Sequence, residues 1–178
     1  MSIATHLVKT VYLLVGAKGS GKTYIGNLAE RSLGLHFIRV EQRTIEHLES
    51  LPADAKQLIN DGFELELKWI EDALLDCDEV ISEATGSSKY LPWFLDRIRE
   101  KYNLKLIRVI CPLEVCFDRV KGRTKEHHYD VSDEKLEEIN TASHNVKFDW
   151  ALEIDNSGPE SDDHILKFLE ALRARRYT

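Results

Sequence analysis

No run of apolar residues in this 178-residue chain approaches the ~20 needed to cross a bilayer, so no membrane-spanning segment is expected. The N-terminus carries Lys9 but no apolar run of about 7–15 residues with a small-residue cleavage site, so no secretory signal is expected either. Cysteine is scarce. Cys77, Cys111 and Cys116 form no Cys-x-x-Cys pair, and any disulfide scheme leaves one over. Buried thiols in a reducing cytoplasm are the expectation. Basic residues are outnumbered, 24 against 31, for a net charge of −7. That excludes a broad nucleic-acid surface, which needs a basic stripe, though one local basic cleft is compatible with it. There is no internal repeat and no low-complexity linker. A chain of this length buries roughly 70% of its unfolded surface without disulfide or metal staples. One domain over residues 1–178 is therefore expected, as a monomer or homodimer.

What is present is glycine at a telling spacing. Residues 16–23 read Gly16-Ala17-Lys18-Gly19-Ser20-Gly21-Lys22-Thr23, which fits G-x-x-x-x-G-K-[ST] in full. Val11-Tyr12-Leu13-Leu14-Val15 before it suits a buried strand. Ile25, Leu28, Ala29 and Leu33 after it recur at helical spacing. Strand, glycine loop and helix start are the context in which this pattern binds phosphate. The glycines let backbone N–H groups converge on an anion, and the helix start adds unpaired donors and positive dipole. Lys22 then supplies charge to the β- and γ-phosphates of ATP, and Thr23 a hydroxyl for Mg²⁺.

Beyond the loop, apolar runs alternate with helical patterns. Strands are expected at 35–40, 79–84, 104–111 and 150–154. Helices are expected over 91–102, from Pro112 at a first helical position to about Gly122, from an N-cap at Ser132, and from near Ser161 to Arg173, Arg175 and Arg176. In that last helix Ile165, Leu169 and Leu172 would be buried. Residues 42–76 read as polar and helical, broken at Leu51-Pro52 and Asp61-Gly62. Five strands separated by helices imply an α/β fold, a three-layer parallel sheet with helices on both faces. Right-handed crossovers put every strand C-terminus along one edge, where such sheets bind ligands.

The residues expected at that edge carry the chemistry. Glu83 closes the third strand and opens Glu-Ala-Thr-Gly-Ser-Ser. It is placed to join the Mg²⁺ shell or to serve as general base. Glu41, after the second strand, is the rival base, or simply an acid at a helix start. Arg119 and Arg123 lie four apart on one helix face, and Lys121 and Lys125 extend the cluster into a polar stretch, 124–130. Residues 120–131 would form a lid whose arginines grip phosphate oxygens in a bidentate manner. His127-His128 at its tip reads as exposed lid rather than metal site. Trp69 and Trp93-Phe94 read as core, with stacking on an acceptor as the other option. Cys111 and Cys116 lack a paired base and are not expected to act as nucleophiles.

Taken together, the chain resembles the small P-loop kinases of the nucleoside-monophosphate kinase fold, especially shikimate and gluconate kinases, with features of the zeta-toxin group. Arg119-Val-Lys-Gly-Arg123 is similar to the segment entering their lid. That likeness implies Arg119 near the adenine and Arg123 at the phosphates. Ile154-Asp155-Asn156-Ser157-Gly158 is similar to the loop that lines the adenine, which implies Asn156 as a nucleotide contact. Val80-Ile81-Ser82-Glu83-Ala84-Thr85-Gly86 resembles the Glu-Gly-Thr segment of zeta-type kinases. Where shikimate kinases carry three glycines after strand 3, this chain has Ala84-Thr85-Gly86. The resemblance implies strand order 2-3-1-4-5, ATP and Mg²⁺ as cofactors, and residues 42–76 as an acceptor-binding flap.

The function expected is transfer of a phosphoryl group from ATP to a hydroxyl or phosphate of a small molecule. Lys22, Glu83, Glu41 and Arg123 would be catalytic, and Thr23 and Glu83 would be at the metal. A nucleotide-dependent regulator without an acceptor, and a nucleoside or nucleotide-sugar kinase of zeta-toxin type, are the alternatives. No Asn-Lys-x-Asp guanine-reading motif is present, which disfavours a GTPase.

Overall fold

The computed structural model describes residues 8–51, 62–123, 128, 131–158 and 162–175. Pro52, Asp61, Lys125, His127, Ser161 and Arg176, named in the expectations above, lie outside them, as does most of 124–130. The chain builds β1 (Thr10–Val15), α1 (Lys22–Leu33), β2 (His36–Phe37), α2 (Val40–Ser50), α3 (Phe63–Asp76) and β3 (Glu79–Ala84). It continues with α4 (Leu91–Arg99), β4 (Asn103–Ile110), α5 (Leu113–Lys121), α6 (Asp133–Asn145), β5 (Leu152–Asp155) and α7 (Asp162–Ala174). The strands form one parallel sheet in the order β2-β3-β1-β4-β5, as expected.

All six residues of β1 are buried, because this strand is central and covered on both faces. Side chains alternate along it, so its faces belong to two cores. Tyr12 and Leu14 pack with Ile25 and Leu28 of α1 and with Ile165 and Leu169 of α7. Val11, Leu13 and Val15 pack with Ile70 and Leu74 of α3 and with Phe94 and Ile98 of α4. Truncating such a side chain to alanine costs about 2–5 kcal/mol. The register sets Glu83 beside Leu14 and Ala84 beside Val15. The end of β3 thus lies next to the point where β1 gives way to the glycine loop.

Several boundaries differ from expectation. The second strand is two residues long, and Val40 and Glu41 are the first turn of α2 rather than a strand end. Ile38 still bonds to the sheet, its N–H donating to the Ile81 carbonyl at 2.9 Å. The Arg39 carbonyl then accepts from Arg43 N–H at 2.9 Å, which starts the helix. Residues 35–40 read as an apolar run because Ile38 packs in the core and Val40 packs against it and lines the cavity. Pro112 is the N-cap of α5 rather than its first residue, so the helix starts one residue later than expected. Ser132 caps α6 as expected, its Oγ accepting from Lys135 N–H at 3.2 Å. Ile165, Leu169 and Leu172 are buried as expected. Trp93 is 42% exposed, so it is not core.

Candidate active site

The loop 16–21 leaves the C-terminus of β1 and feeds α1. Gly19 and Gly21 have φ of +96° and +97°, which L-residues with a Cβ rarely adopt. Space excludes a side chain as well. A Cβ on Gly19 would lie 2.3 Å from the Cys116 carbonyl oxygen, and one on Gly21 would lie 2.0 Å from Asn156 Nδ2.

Three elements brace the loop from outside. Asn156, after β5, donates from Nδ2 to the Ser20 carbonyl at 2.7 Å. Arg119 on α5 donates to the Asn156 carbonyl at 3.0 Å and contacts Cys111 Sγ at 3.3 Å. Asn140 on α6 accepts from Lys18 N–H at 2.8 Å and donates to the Lys18 carbonyl at 3.0 Å. Arg119 and Arg123 share a helical spacing but do different things: Arg119 ties loops together, while Arg123 lines the cavity.

Lys22 begins α1 and turns back over its own loop. Its Nζ donates to the carbonyls of Gly16 at 2.8 Å and Ala17 at 2.9 Å. Burial lowers its pKa to about 8, against the opposing pull of Glu83. Glu83, at the end of β3, has its pKa raised by burial, while Lys22 and the Thr23 hydroxyl act the other way. Thr23 Oγ1 donates to Glu83 Oε2 at 2.9 Å. Glu41, on the first turn of α2, is paired to Lys18 Nζ and lies 3.1 Å from His128 Nδ1. Cys116 is buried, and its thiol is pushed up to about 12, which leaves no nucleophilic thiolate at neutral pH.

These groups surround a cavity of about 480 Å³, within the ordinary range for small-molecule sites. Lys18, Lys22, Thr23 and Glu83 line its glycine-loop end, and Glu41, Thr44 and Leu48 line it from α2. Trp69 and Trp93 do not line it. Sequence reasoning missed Glu66, which lines the cavity from α3, is 1% exposed and accepts from Ser82 Oγ at 2.6 Å. Its signal was there. Phe63, Glu66, Leu67, Ile70 and Leu74 form one helical stripe, and Glu66 is the charged residue in an otherwise apolar face. Asn140 was missed in the same way, between Leu136 and Ser143 on the buried side of α6.

The donor set suits a magnesium nucleotide. Glycine at 19 and 21 lets the loop hold its left-handed turns close against Cys116 and Asn156, the conformation in which backbone N–H groups can converge on an anion. Thr23 and Glu83 offer the hard oxygens that Mg²⁺ takes, and that ion needs only one or two protein ligands beside phosphates and water.

No protein-family model matches the chain, and no curated protein matches its sequence. Solved structures do match it. A shikimate kinase from Acinetobacter baumannii, in complex with shikimate, aligns over 98% of this chain and 98% of its own, with TM-score 0.63 and 17% identity. The fold is that of the small P-loop kinases. A sugar kinase from Janibacter sp. aligns over 92% of this chain and 98% of its own, with TM-score 0.62 and 18% identity. The adenylylsulfate (APS) kinase of Mycobacterium tuberculosis, in complex with AMPPNP and APS, aligns over 94% and 98%, with TM-score 0.58 and 14% identity. Among the described residues no helix is long and apolar enough to cross a membrane.

Proposed function

We propose that this chain is an ATP- and Mg²⁺-dependent kinase that phosphorylates a hydroxyl of a small molecule. The observation that carries this reading is the continuity of one cavity. It runs from the phosphate cradle at Lys22 and Thr23, past Glu41 and Glu83, to a wall built by α2 and α3. A nucleotide switch needs the first part; the second is what an acceptor would occupy. Chains with this fold include kinases for sugars and for shikimate.

The loop N–H groups and Lys22 would hold the β- and γ-phosphates, and Thr23 and Glu83 would hold Mg²⁺. When bound, MgATP supplies the phosphoryl group with its charge largely neutralised. Glu41 faces the cavity from α2 and is the group proposed to take the acceptor's proton. Lys18 and His128 fix its two oxygens. Arg123, after α5, would close over the phosphates and exclude water, within a lid spanning 120–131. Arg119 and Asn156 would keep the cradle in shape.

The reaction balances simply. The acceptor oxygen bonds to the γ-phosphorus, the bridging bond breaks with its electron pair leaving on ADP, and the hydroxyl proton passes to Glu41. Free thiols at Cys77, Cys111 and Cys116 fit a cytoplasmic setting. ADP release measured across nucleosides, sugars, hydroxy acids and amino alcohols tests the reading. Acceptor-dependent release that is lost in Lys22→Ala supports it. Release indifferent to every acceptor would leave a nucleotide-hydrolysing regulator instead.

A further inference from the structure

Lys18 stands at one of the positions that the pattern G-x-x-x-x-G-K-[ST] leaves open, so the loop's own fold does not call for a lysine there. Its placement is nonetheless fixed at both ends. Asn140 holds its main-chain N–H at 2.8 Å and its carbonyl at 3.0 Å. Its side chain, 12% exposed, reaches from the loop to α2 and ends on Glu41. It lines the cavity together with Lys22, Glu83 and Arg123. The ammonium is near enough to Lys22 that its charge, like that of Arg123, adds to burial in disfavouring the Lys22 cation, while Glu83 and Cys116 act the other way.

Resting on the kinase reading, we propose that Lys18 is a further catalytic residue: its ammonium contacts the γ-phosphate of ATP while it holds Glu41, and so joins the donor half of the site to the acceptor half. Three physical points lead there. A carboxylate base and a γ-phosphate are both anionic and must come within reach of the same acceptor oxygen, so they repel each other in a cavity poorer in water than the bulk. A cation between them offsets that repulsion, and Lys18 is the cation that the glycine loop itself sends to Glu41, whose other oxygen meets His128. An ammonium carries three donors, so a bond to Glu41 is compatible with bonds to phosphoryl oxygens. Direction is the third point. Lys22 turns back onto the carbonyls of Gly16 and Ala17, whereas Lys18 extends toward α2, the side from which an acceptor would come. The phosphate that Lys18 would meet is therefore the terminal one, where a fixed cation stabilises the charge of the group in transfer.

The test is calorimetric titration with two magnesium nucleotides that differ by the γ-phosphate, ADP and the non-hydrolysable AMPPNP. Lys18→Met keeps most of the side chain's length and removes its charge. It should weaken AMPPNP binding at least ~10-fold while ADP affinity stays within about twofold. Glu41→Gln breaks the same ion pair from the other end and should leave both affinities within about twofold. With an acceptor found by the ADP-release screen, Lys18→Met should also lower kcat at least ~10-fold. A role limited to bracing α2 against the loop would make the two variants alike. An AMPPNP affinity that Lys18→Met leaves unchanged, equal losses for ADP and AMPPNP, or the same losses in Glu41→Gln overturn the inference and leave the kinase reading standing. So does an unchanged kcat. ADP release that no acceptor stimulates counts against the kinase reading itself, and the inference falls with it. Lys18→Gln, which can still hydrogen-bond to Glu41, is read in the same way where Lys18→Met folds poorly.

Discussion

The side-chain amide of Asn140 pairs with the main-chain N–H and C=O of Lys18 through two hydrogen bonds, one accepted at 2.8 Å and one donated at 3.0 Å. Asn140 is fully buried on α6, and Lys18 lies in the glycine loop. Two parts of the site 122 residues apart are joined where the loop's shape sets the phosphate cradle. An amide is suited to this because it donates and accepts from one rigid plane.

Asn140→Ala should therefore do two things. It leaves a part-buried N–H and carbonyl without their partner, which costs about 1 kcal/mol of stability or more. It also frees the loop, which should weaken nucleotide binding by roughly tenfold, a loss of about 1.4 kcal/mol. Thermal unfolding and calorimetric titration with ATP check both. A variant with unchanged Tm and unchanged affinity would mean that Asn140 braces nothing.

Lys22 predicts a pH dependence with a definite sign. Its pKa of about 8 in the folded protein is well below the ordinary 10.5, because burial disfavours the charged amine. The charge that phosphates need is present below about pH 8 and lost above it. The kcat/KM for ATP should thus fall on the alkaline side of pH 8, approaching ~10-fold per pH unit. Stability runs the other way. Between pH 8 and 10.5 the unfolded chain binds more protons than the folded one, so this group's contribution to unfolding free energy rises with pH in that window. Loss of activity there without a matching loss of Tm separates deprotonation from unfolding. Lys22→Met should remove the alkaline limb and leave a low, flat profile. A wild-type profile level to pH 9.5 would contradict the assignment.

Much of the architecture was legible because its signals are local. Apolar runs bounded by helical patterns marked five strands, and the glycine loop stood between the two elements its chemistry needs. Errors came where one residue serves two surroundings. Val40 read as strand because it is apolar, yet it is apolar toward a cavity from the first turn of α2. Trp93 read as core because tryptophan usually is, whereas Phe94 beside it takes the buried position. Glu66 and Asn140 needed tertiary context. Each sits at a buried helical position, but only the fold tells which buried position borders a cavity and which borders the loop.

The sequence left open which of Glu41 and Glu83 meets the metal and which the proton, and the two carboxylates have different surroundings. Glu83 accepts from Thr23, the hydroxyl proposed to hold Mg²⁺, and lies beside Lys22 in a buried setting. Glu41 stands on the opposite element, α2, with Lys18 and His128 on its oxygens. Glu83→Gln should raise the Mg²⁺ concentration needed for half-maximal rate, by ~10-fold or more, because the replacement removes the charge that balances the ion. Glu41→Gln should leave that requirement and MgATP affinity in place while lowering kcat by about 10²–10⁴. Magnesium titrations at saturating acceptor, with nucleotide affinity measured separately, resolve the two. The opposite pattern, with kcat lost in Glu83→Gln at an unchanged Mg²⁺ requirement, would exchange the roles. A carboxylate that shares a hydrogen bond with the hydroxyl proposed for the metal is poorly placed to receive a proton from across the cavity, so the first pattern is the one the geometry supports.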